Sequence, residues 1–484
     1  MLYCTVFRPQ ETALVTPRLD IHLIAIGGTG MAPLACLLSE QGHSVRGSDG
    51  PLYPPMSTLL EEAGITAMEG YGPGNLEPRP DLVIVGNAIR RDNPEATAAR
   101  ESGLDLVSMP QALAKFFLGD RQPLVVAGTH GKTTTSSIAA WIYHDCGHDP
   151  GFLIGGVPQN LERSFAIGTG SRFVIEGDEY NAAYFDRGPK FLHYLPQTVI
   201  LTSVEYDHAD LYASPDDLVS AYRDLVGIIP PDGLLVACGD GPGVREVADA
   251  ARCRVIFYGL SEDCEVRPTT WRPHNGGTRF SIVDPEVGAT EVTLATTGQH
   301  NLLNSLAVWA VARADGLAAA DVATAFSRFQ GVRRRQEELG TAAGVTVVDD
   351  FAHHPTAVAE TLPALHQRYG DRRLVVVFEP RSLTAGRGMF FDDYVAGFSQ
   401  ADEVFFAPLF HAGRLAEDER LDLDSLVAAI AAEGTPCGRA DSISALRLAV
   451  LNSLRSGDVI VTMSSGSFEG LPHDLLAQLQ QRTG

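Results

Sequence analysis

Short apolar runs alternate with longer amphipathic stretches along most of this 484-residue chain. Runs such as "IHLIAI", "PLVVAG" and "RLVVVFEPR" are apolar at most positions, which predicts strands buried in parallel sheets. The stretches between them have the spacing of helices. Because the alternation forms three blocks without an internal repeat of solenoid length, we expect an α/β protein with three domains in series.

Breaks in this alternation place the domain boundaries. We expect an N-terminal extension over residues 1–19, a first domain over 20–120, a central domain over 121–331 and a C-terminal domain over 332–484. Strands of the first domain are predicted at "IHLIAI", "SVRGSD", "DLVIVG" and "LDLVSM". Those of the central domain are predicted at "PLVVAG", "FVIEGDEY", "TVILTSVEYDH" and "GLLVACGD", with a β-like "GGTRFSIV" and a helix from about Asn301. The C-terminal strands are predicted at "GVTVVDDFA", "RLVVVFEPR", "DEVFFAPLF" and "DVIVTMSSG".

The composition argues against several partners and compartments. A formal net charge of −23 disfavours a nucleic-acid backbone or an anionic membrane surface as the main partner. Seven cysteines show no CxxC spacing and no paired framework, which favours a reducing compartment. The first twenty residues lack the pattern of a signal peptide, and no apolar run reaches membrane-spanning length. We therefore expect a cytoplasmic protein that acts on small molecules.

A glycine turn, "GGTG", follows the first predicted strand and precedes a helix. Glycines at such a turn let backbone N–H groups approach a pyrophosphate at the helix N-terminus. Asp49 ends the next strand about twenty residues on, where a ribose-binding acid would lie. The turn lacks the third glycine of a dinucleotide fingerprint, because Pro33 occupies that place. A dinucleotide site, another pyrophosphate site and a turn without a ligand all remain open from this motif alone.

A second glycine turn, "GTHGKTT" from Gly128 to Thr134, lies between an apolar strand and a helix. It supplies two glycines, a lysine and an adjacent hydroxyl, which are the groups that bind a polyphosphate and its magnesium ion. Lys132 is one of only three lysines among 37 basic residues, so an ammonium group is specifically retained here. These features predict a P-loop ATPase type of central domain, flanked by Rossmann-like first and C-terminal domains.

Two later strand ends carry carboxylates and an imidazole. They are Glu176, Asp178 and Glu179 in "VIEGDEY", and Glu205, Asp207 and His208 in "SVEYDHADLY". Because parallel strands end at one edge of a sheet, these groups are predicted to hold Mg²⁺ near the phosphate loop. Downstream, "QHNLLN" places Asn301 and Asn304 on the first turn of a helix, directly after His300. Helix capping explains one of the two asparagines.

Together these motifs resemble the Mur ligases, three-domain ATP-dependent enzymes that form amide bonds in peptidoglycan assembly. The resemblance covers nearly the whole chain. "GTHGKTTT" and "DDFAHHPTA" are shared across the family, whereas "YPPMSTLLEEAG", "PGFLIGGVPQN", "KFLHY", "EYDHADLY" and "EPRS" are similar to its peptide-adding members. The two glycine turns would then bind two different nucleotides, a UDP-sugar at "GGTG" and ATP at "GTHGKTTT".

The resemblance implies a role for each matching residue. The implied UDP-sugar-binding residues are Gly28, Thr29, Gly30, Met31, Ser48, Asp49 and Asn87. The implied ATP-binding residues are Gly128, Thr129, His130, Gly131, Lys132, Thr133, Thr134, Asn301, Arg334 and Asp350. The implied magnesium ligands are Thr133, Glu176 and His208, and the implied catalytic residues are Lys132, Glu176, His208 and His353. We expect Arg381 and Arg387 to bind the carboxylate of a peptide.

The reaction implied by the resemblance joins UDP-N-acetylmuramate to the tripeptide L-Ala-γ-D-Glu-meso-diaminopimelate through an acyl phosphate, with ATP and Mg²⁺, in peptidoglycan recycling. Three departures from the peptide-adding pattern leave the amine open: Asn181, Leu383 and the segment "MSSGSFEG" from Met463 to Gly470. An L-alanine ligase of peptidoglycan synthesis is the first alternative. A nucleotide-binding module without turnover and a dinucleotide-dependent oxidoreductase are the alternatives from other classes.

Overall fold

The computed structural model describes residues 17–206, 211–212, 214–284 and 287–482. The chain forms two compact units. One contains residues 17–112 together with Ala183–Asp186, and the other contains residues 113–182 and 187–482. None of the helices in these described ranges combines the length and the apolar character that a membrane crossing requires.

The first part of the chain forms a parallel sheet with the strand order β3-β2-β1-β4-β5. This order confirms the predicted Rossmann-like domain. Its elements are β1 (Asp20–Ile24), α1 (Met31–Glu40), β2 (Ser44–Asp49), α2 (Met56–Glu62), β3 (Thr66–Glu69), β4 (Leu82–Val85), α3 (Pro94–Glu101), β5 (Leu106–Ser108) and α4 (Met109–Leu113), followed by a π-helical turn at Ala114–Leu118. The edge strand β3 was not predicted, because "TAME" is partly exposed and carries no apolar run.

The central part of the chain forms a sheet with the order β14-β13-β12-β6-β9-β7-β8, in which the β7–β8 pair is antiparallel and the other pairs are parallel. An antiparallel sheet, β15-β16-β17, follows it and contains the predicted "GGTRFSIV". The elements are β6 (Gln122–Ala127), α5 (Lys132–Asp145), β7 (Gly151–Leu153), β8 (Phe165–Ala166), β9 (Arg172–Gly177), β10 (Asn181–Ala183), β11 (Asp186–Pro189), β12 (Thr198–Leu201), α6 (Pro215–Gly227), β13 (Leu234–Cys238), α7 (Pro242–Ala248), β14 (Arg254–Tyr258), β15 (Arg267–His274), β16 (Gly277–Asp284), β17 (Gly288–Leu294), α8 (Gln299–Ala314) and α9 (Ala319–Arg328).

The last part of the chain forms a sheet with the order β18-β19-β23-β20-β21-β22, in which only the β18–β19 pair is antiparallel among the described strands. Its elements are β18 (Glu337–Ala342), β19 (Val345–Asp350), α10 (Pro355–Tyr369), β20 (Leu374–Phe378), α11 (Phe391–Gly397), β21 (Glu403–Phe406), α12 (Leu423–Ala432), β22 (Cys437–Arg439), α13 (Ile443–Ser453), β23 (Val459–Met463) and α14 (Leu471–Gln481). The three-domain α/β architecture is confirmed, while the residue boundaries that we assigned to the domains stay a prediction.

The central strands are buried because they carry apolar side chains toward both faces of each sheet. In the C-terminal sheet, β19, β20 and β23 are buried along their whole length. Phe378 ends β20, and its ring lies 5.4 Å from that of Tyr394, 5.3 Å from that of Phe398 and 5.9 Å from that of Phe406, measured between ring centres. This aromatic cluster fixes α11 and β21 against the strand end from which the chain continues into "EPRS".

Truncating this cluster is expected to destabilise the C-terminal sheet. Phe378→Ala removes a fully buried ring and should cost about 3–5 kcal/mol, because the neighbouring rings cannot fill the cavity. Amide hydrogen exchange measured on β19, β20 and β23 reports this loss separately from the other sheets. Leu448→Ala is the matched control, since that side chain is 61% exposed. Unchanged exchange in the Phe378 variant would contradict the packing described here.

Candidate functional site

The loop between β6 and α5 is held by close backbone contacts that two glycines make possible. Gly128 has a φ of 128° and Gly131 a φ of 81°, both in the region that favours glycine. A Cβ atom at Gly128 would lie 2.2 Å from Oγ1 of Thr202, and one at Gly131 would lie 2.8 Å from Oδ1 of Asn304. The loop therefore packs closely against its neighbours and leads into the start of α5, where helix N–H groups are able to bind phosphate.

Lys132 projects back over this loop. Its Nζ donates to the carbonyl oxygen of Gly128 at 2.7 Å and pairs with Glu179 at 2.9 Å. The Glu179 side chain is only 1% exposed, so this is a buried ion pair. Burial alone would lower the pKa of Lys132, but the charges of Glu179 and Asp178 outweigh it and raise the pKa. The ammonium group of Lys132 therefore stays charged beside the loop.

Thr133 and Glu176 meet beside Lys132. The Oγ1 of Thr133 lies 3.3 Å from Oε2 of Glu176, and Oε1 of Glu176 accepts a hydrogen bond from the backbone N–H of Gly155 at 2.7 Å. Burial raises the pKa of Glu176, against the opposing effects of the Gly155 N–H group and the charge of Lys132. A hydroxyl and a carboxylate at this separation fit the oxygen-ligand preference of Mg²⁺.

Residues after β12 pack against the other side of the loop. Thr129 Oγ1 donates to the carbonyl oxygen of Glu205 at 3.0 Å, and the backbone N–H of His130 donates to Oγ of Ser203 at 2.9 Å. The ring Nε2 of His130 lies 3.3 Å from Oε2 of Glu205. This hydrogen bond holds the pKa of Glu205 below its ordinary value. The predicted ligand His208 and its neighbour Asp207 lie outside the described residues.

The second turn of α8 faces the loop through Asn304. Asn301, which was predicted to contact ATP, is buried and donates from Nδ2 to the carbonyl oxygen of Thr297 at 2.7 Å. Asn304 instead lies against Gly131. Nε2 of Gln336 donates to Nε2 of His300 at 3.1 Å, and burial lowers the pKa of His300 to about 4. The spacing of the two asparagines was recognised in the sequence, but the contact made by Asn304 was not.

Two adjacent arginines from the start of the C-terminal domain point in different directions. Arg334, predicted to reach ATP, donates from Nε to Asp349 at 3.2 Å and from Nη2 to the carbonyl oxygen of Ser464 at 2.8 Å. Its neighbour Arg335 lies at the phosphate loop instead, with Nη2 3.4 Å from Oγ1 of Thr133. The structure thus places a cation at the loop one position later than predicted. The role of Arg334 toward ATP stays a prediction.

Asp350 ends β19, and His353 lies in the segment that follows it. Asp350 is buried and accepts hydrogen bonds from the backbone N–H groups of Gln336 and Ala352, each at 2.7 Å. Burial raises its pKa against the opposing charge of Arg335. His353 Nδ1 lies 3.0 Å from the carbonyl oxygen of Phe351. Asp350 therefore links the segment that contains Arg335 to the segment that leads to His353.

The predicted peptide-binding arginines are not equivalent. The guanidinium of Arg381 stacks on the ring of Phe410 at 3.9 Å and lies 3.5 Å from Glu379. Arg387 pairs at 3.7 Å with the partly exposed Glu419. Glu379 is buried and accepts a hydrogen bond from Ser464 Oγ. Because Glu379 follows β20 and Ser464 follows β23, Arg381 lies at the carboxyl edge of the C-terminal sheet.

In the first unit, Asp49 holds the "GGTG" turn in place. Its Oδ2 accepts a hydrogen bond from the backbone N–H of Gly27 at 2.7 Å, and its Oδ1 accepts one from Tyr71 OH at 2.8 Å. Gly30 is the N-cap residue of α1, and Met31, the first residue of that helix, is buried. β1 and β4 are neighbours in the sheet, and the order of the strands along the chain reverses between them. Ligands usually bind in the crevice outside the carboxyl ends of two such strands.

Other predicted residues of this turn differ in exposure. Thr29 and Asn87 are exposed at the carboxyl ends of β1 and β4, and Gly28 is half-buried. Ser48 is fully buried and donates from Oγ to Oε1 of Glu95 at 2.6 Å. Glu95, which sequence reasoning missed, also lies 2.5 Å from Nε2 of His22. Ser48 thus contributes to a buried network beneath the turn.

Models of known protein families match three successive parts of this chain. The catalytic-domain model of the Mur ligase family matches residues 20–121, the Mur ligase middle-domain model matches 126–312, and the Mur ligase glutamate-ligase-domain model matches 334–466. The UDP-N-acetylmuramate–L-alanyl-γ-D-glutamyl-meso-2,6-diaminoheptandioate ligase of Escherichia coli strain K12 is 40% identical, over 96% of this chain and 98% of its own length.

The chain belongs to the Mur ligase family. The UDP-N-acetylmuramate–L-alanine ligase of Arthrobacter sp. strain FB24 is 37% identical over 81% of each chain. Among solved structures, the murein peptide ligase of Psychrobacter arcticus 273-4 is 33% identical, with a TM-score of 0.72 over 96% of this chain and 99% of its own. The family resemblance inferred from the sequence motifs is therefore confirmed along nearly the full length.

Removing the ammonium group at the phosphate loop is expected to abolish turnover. Lys132→Ala should lower kcat by roughly 10²–10³-fold, because a contact to charge that develops in the transition state is lost. Phosphate release from ATP measures the effect, and circular dichroism checks folding, since Glu179 loses its buried partner. Lys115→Ala, which changes an exposed lysine, is the control. Phosphate release near that of the unmodified protein would refute the assignment of Lys132.

Changing the carboxylate beside Thr133 is expected to raise the magnesium requirement. Glu176→Gln keeps the shape of the side chain and its acceptor for the Gly155 N–H group, but removes the charge that favours a divalent cation. The half-saturating Mg²⁺ concentration for phosphate release should increase. Glu262→Gln, at an exposed site, should leave it unchanged. An unaltered requirement in the Glu176 variant would exclude this carboxylate as a ligand.

Proposed function

We propose that this chain is an ATP-dependent amide ligase that joins UDP-N-acetylmuramate to L-alanyl-γ-D-glutamyl-meso-diaminopimelate. The observation that carries the proposal is the 40% identity to the Escherichia coli enzyme of that name, which extends over 96% of the chain. The geometry of the central site agrees with it, because Lys132, Thr133 and Arg335 converge on one phosphate-binding loop.

The proposed reaction has two steps. A carboxylate oxygen of UDP-N-acetylmuramate attacks the γ-phosphorus of ATP, which forms an acyl phosphate and releases ADP. The amine of the peptide then attacks the acyl carbon, and the tetrahedral intermediate collapses to an amide and inorganic phosphate. Both steps move negative charge near the loop, so fixed cations and backbone N–H groups are the groups that accelerate them.

The residues of the central site have distinct proposed tasks. Lys132 and the loop N–H groups bind the β- and γ-phosphates, and Arg335 adds a second positive charge beside Thr133. Thr133 and Glu176 would hold Mg²⁺, with His208 as a further candidate ligand. When bound, the ion neutralises phosphate charge. Asn304, Asn301, Arg334 and Asp350 shape the surroundings of the loop, and His353 is proposed to lie on the amine side.

The sugar nucleotide is proposed to bind the first unit. The glycine turn that leads into α1 would offer backbone N–H groups to a pyrophosphate, and exposed Thr29 and Asn87 stand at the same edge of the sheet. Asp49 is already engaged with the backbone of the turn, so its proposed contribution is to hold the turn open for the ligand. Catalysis then needs both units, each with its own nucleotide.

The C-terminal domain is proposed to select the amine. Arg381 lies at the carboxyl edge of its sheet, with its guanidinium carbon 3.9 Å from the centre of the Phe410 ring, and a guanidinium group can bind a carboxylate through two parallel hydrogen bonds. L-Alanine is the second candidate amine. The 37% identity to an L-alanine ligase supports it. Asn181, Leu383 and the segment from Met463 to Gly470 depart from the peptide-adding pattern and leave the identity of the amine open. We place the reaction in the cytoplasm, with small-molecule partners.

A comparison of amines tests the proposed function. Phosphate release with ATP and UDP-N-acetylmuramate is measured with L-alanine, the meso-diaminopimelate tripeptide and its lysine analogue, and products are identified by mass spectrometry. The tripeptide is expected to give the highest kcat/KM. A preference for free alanine would move the chain to the second candidate, and no ligation with any amine would refute the function. Tight binding of a nicotinamide dinucleotide would instead favour an oxidoreductase.

A further inference from the structure

Two histidines and a glutamate from separate parts of the chain meet beside the phosphate loop. His130 lies in the loop, Glu205 follows β12, and His354 stands immediately before α10 in the C-terminal part of the chain. One ligand atom from each side chain can be chosen so that all three lie within 4.8 Å of one another. The rings of His130 and His354 are 4.9 Å apart between their centres. This cluster is separate from the pair of Thr133 and Glu176.

The chemistry of the three side chains selects a class of ion. Mg²⁺ prefers oxygen ligands, whereas two imidazoles with one carboxylate are typical of Zn²⁺, Co²⁺ and related transition metals. For Zn–N bonds of about 2.0–2.1 Å, ligand atoms in a tetrahedron lie about 3.3 Å apart. The distance between Nε2 of His130 and Oε2 of Glu205 is 3.3 Å. Two of the three ligands therefore already have the required separation.

Neighbouring groups orient the cluster. Thr356 Oγ1 donates to Oε2 of Glu205 at 3.1 Å, which links the carboxylate to α10. The backbone N–H of Thr356 also donates to Nδ1 of His354 at 3.4 Å, a long hydrogen bond. Coordination through Nε2 of His354 would place the ring proton on Nδ1 and give up that long bond. The carboxylate contact of Thr356 is the kind of outer partner that fixes a ligand in metal sites.

We propose that His130, Glu205 and His354 form a binding site for one divalent transition metal ion of the Zn²⁺ class. The ion would connect the phosphate loop to the start of α10 and so restrain the C-terminal domain at the ATP site. Three protein ligands leave a coordination position open for water. The proposal does not rest on the ligase function, because the ion binds without ATP, sugar nucleotide or peptide.

Cobalt titration of the whole chain tests the site. Tag-free protein is stripped with a chelator and titrated with Co²⁺ in the absence of nucleotide, and visible ligand-field absorption is followed. We expect one Co²⁺ with tetrahedral-type absorption, displaced by one equivalent of Zn²⁺. His354→Gln and Glu205→Gln should each weaken Co²⁺ binding at least about tenfold, since even the loss of an outer partner costs 10–100-fold.

Two control variants separate this site from other metal-binding groups. His366→Gln changes a histidine of α10 whose Nε2 bonds to the carbonyl oxygen of Gln400. This variant should bind Co²⁺ like the unmodified protein. Glu176→Gln should also retain the Co²⁺ signal. Equal Co²⁺ affinity in the His354 and Glu205 variants and the unmodified chain would overturn the proposal. Loss of the signal in the Glu176 variant alone would assign the ion to the phosphate site instead.

Discussion

The central site depends on the close approach of the phosphate loop to the two segments that flank it. Gly128 leaves no room for a Cβ atom beside Thr202, and Gly131 leaves none beside Asn304. Both residues have positive φ values, which glycine adopts at low strain, so the loop can follow this path. Any larger residue at either position would push the loop away from the strand ends. The placement of Lys132 and Thr133 follows from this constraint.

The charged groups of the central site are largely buried and lie next to groups of opposite charge. The ammonium of Lys132 is held by a carboxylate that is almost completely buried, and Arg335 approaches the same loop from the start of the C-terminal domain. Burial raises the pKa of both Glu176 and Asp350, against the opposing charges of Lys132 and Arg335 at Glu176 and of Arg335 at Asp350. Cations and carboxylates therefore lie close together at this site. Because these cations are already held in place, they can stabilise the negative charge of a polyphosphate without a large rearrangement.

Most buried strands could be predicted from the sequence, because apolar runs such as those of β6, β20 and β23 report burial directly. The edge strands β3, β18 and β22 could not, since each is partly exposed and lacks such a run. The edge strand β14, "RVIFY", was missed although it carries an apolar run. The phosphate loop followed from its motif, whereas the pairing of Thr133 with Glu176 was implied by the resemblance to the Mur ligases. Arg335 could not be distinguished from Arg334 by sequence, because three arginines are adjacent and the positive φ values of Arg334 and Gln336 in this turn are not visible in the sequence.

The most direct test of the account follows the oxygen atoms of the sugar-nucleotide carboxylate. UDP-N-acetylmuramate labelled with ¹⁸O in both carboxylate positions is incubated with ATP, Mg²⁺ and the peptide, and the released phosphate is analysed by mass spectrometry. An acyl phosphate requires one labelled oxygen to leave with each phosphate, so we predict one ¹⁸O per phosphate and one retained in the amide product. Ligation that releases unlabelled phosphate would contradict the account.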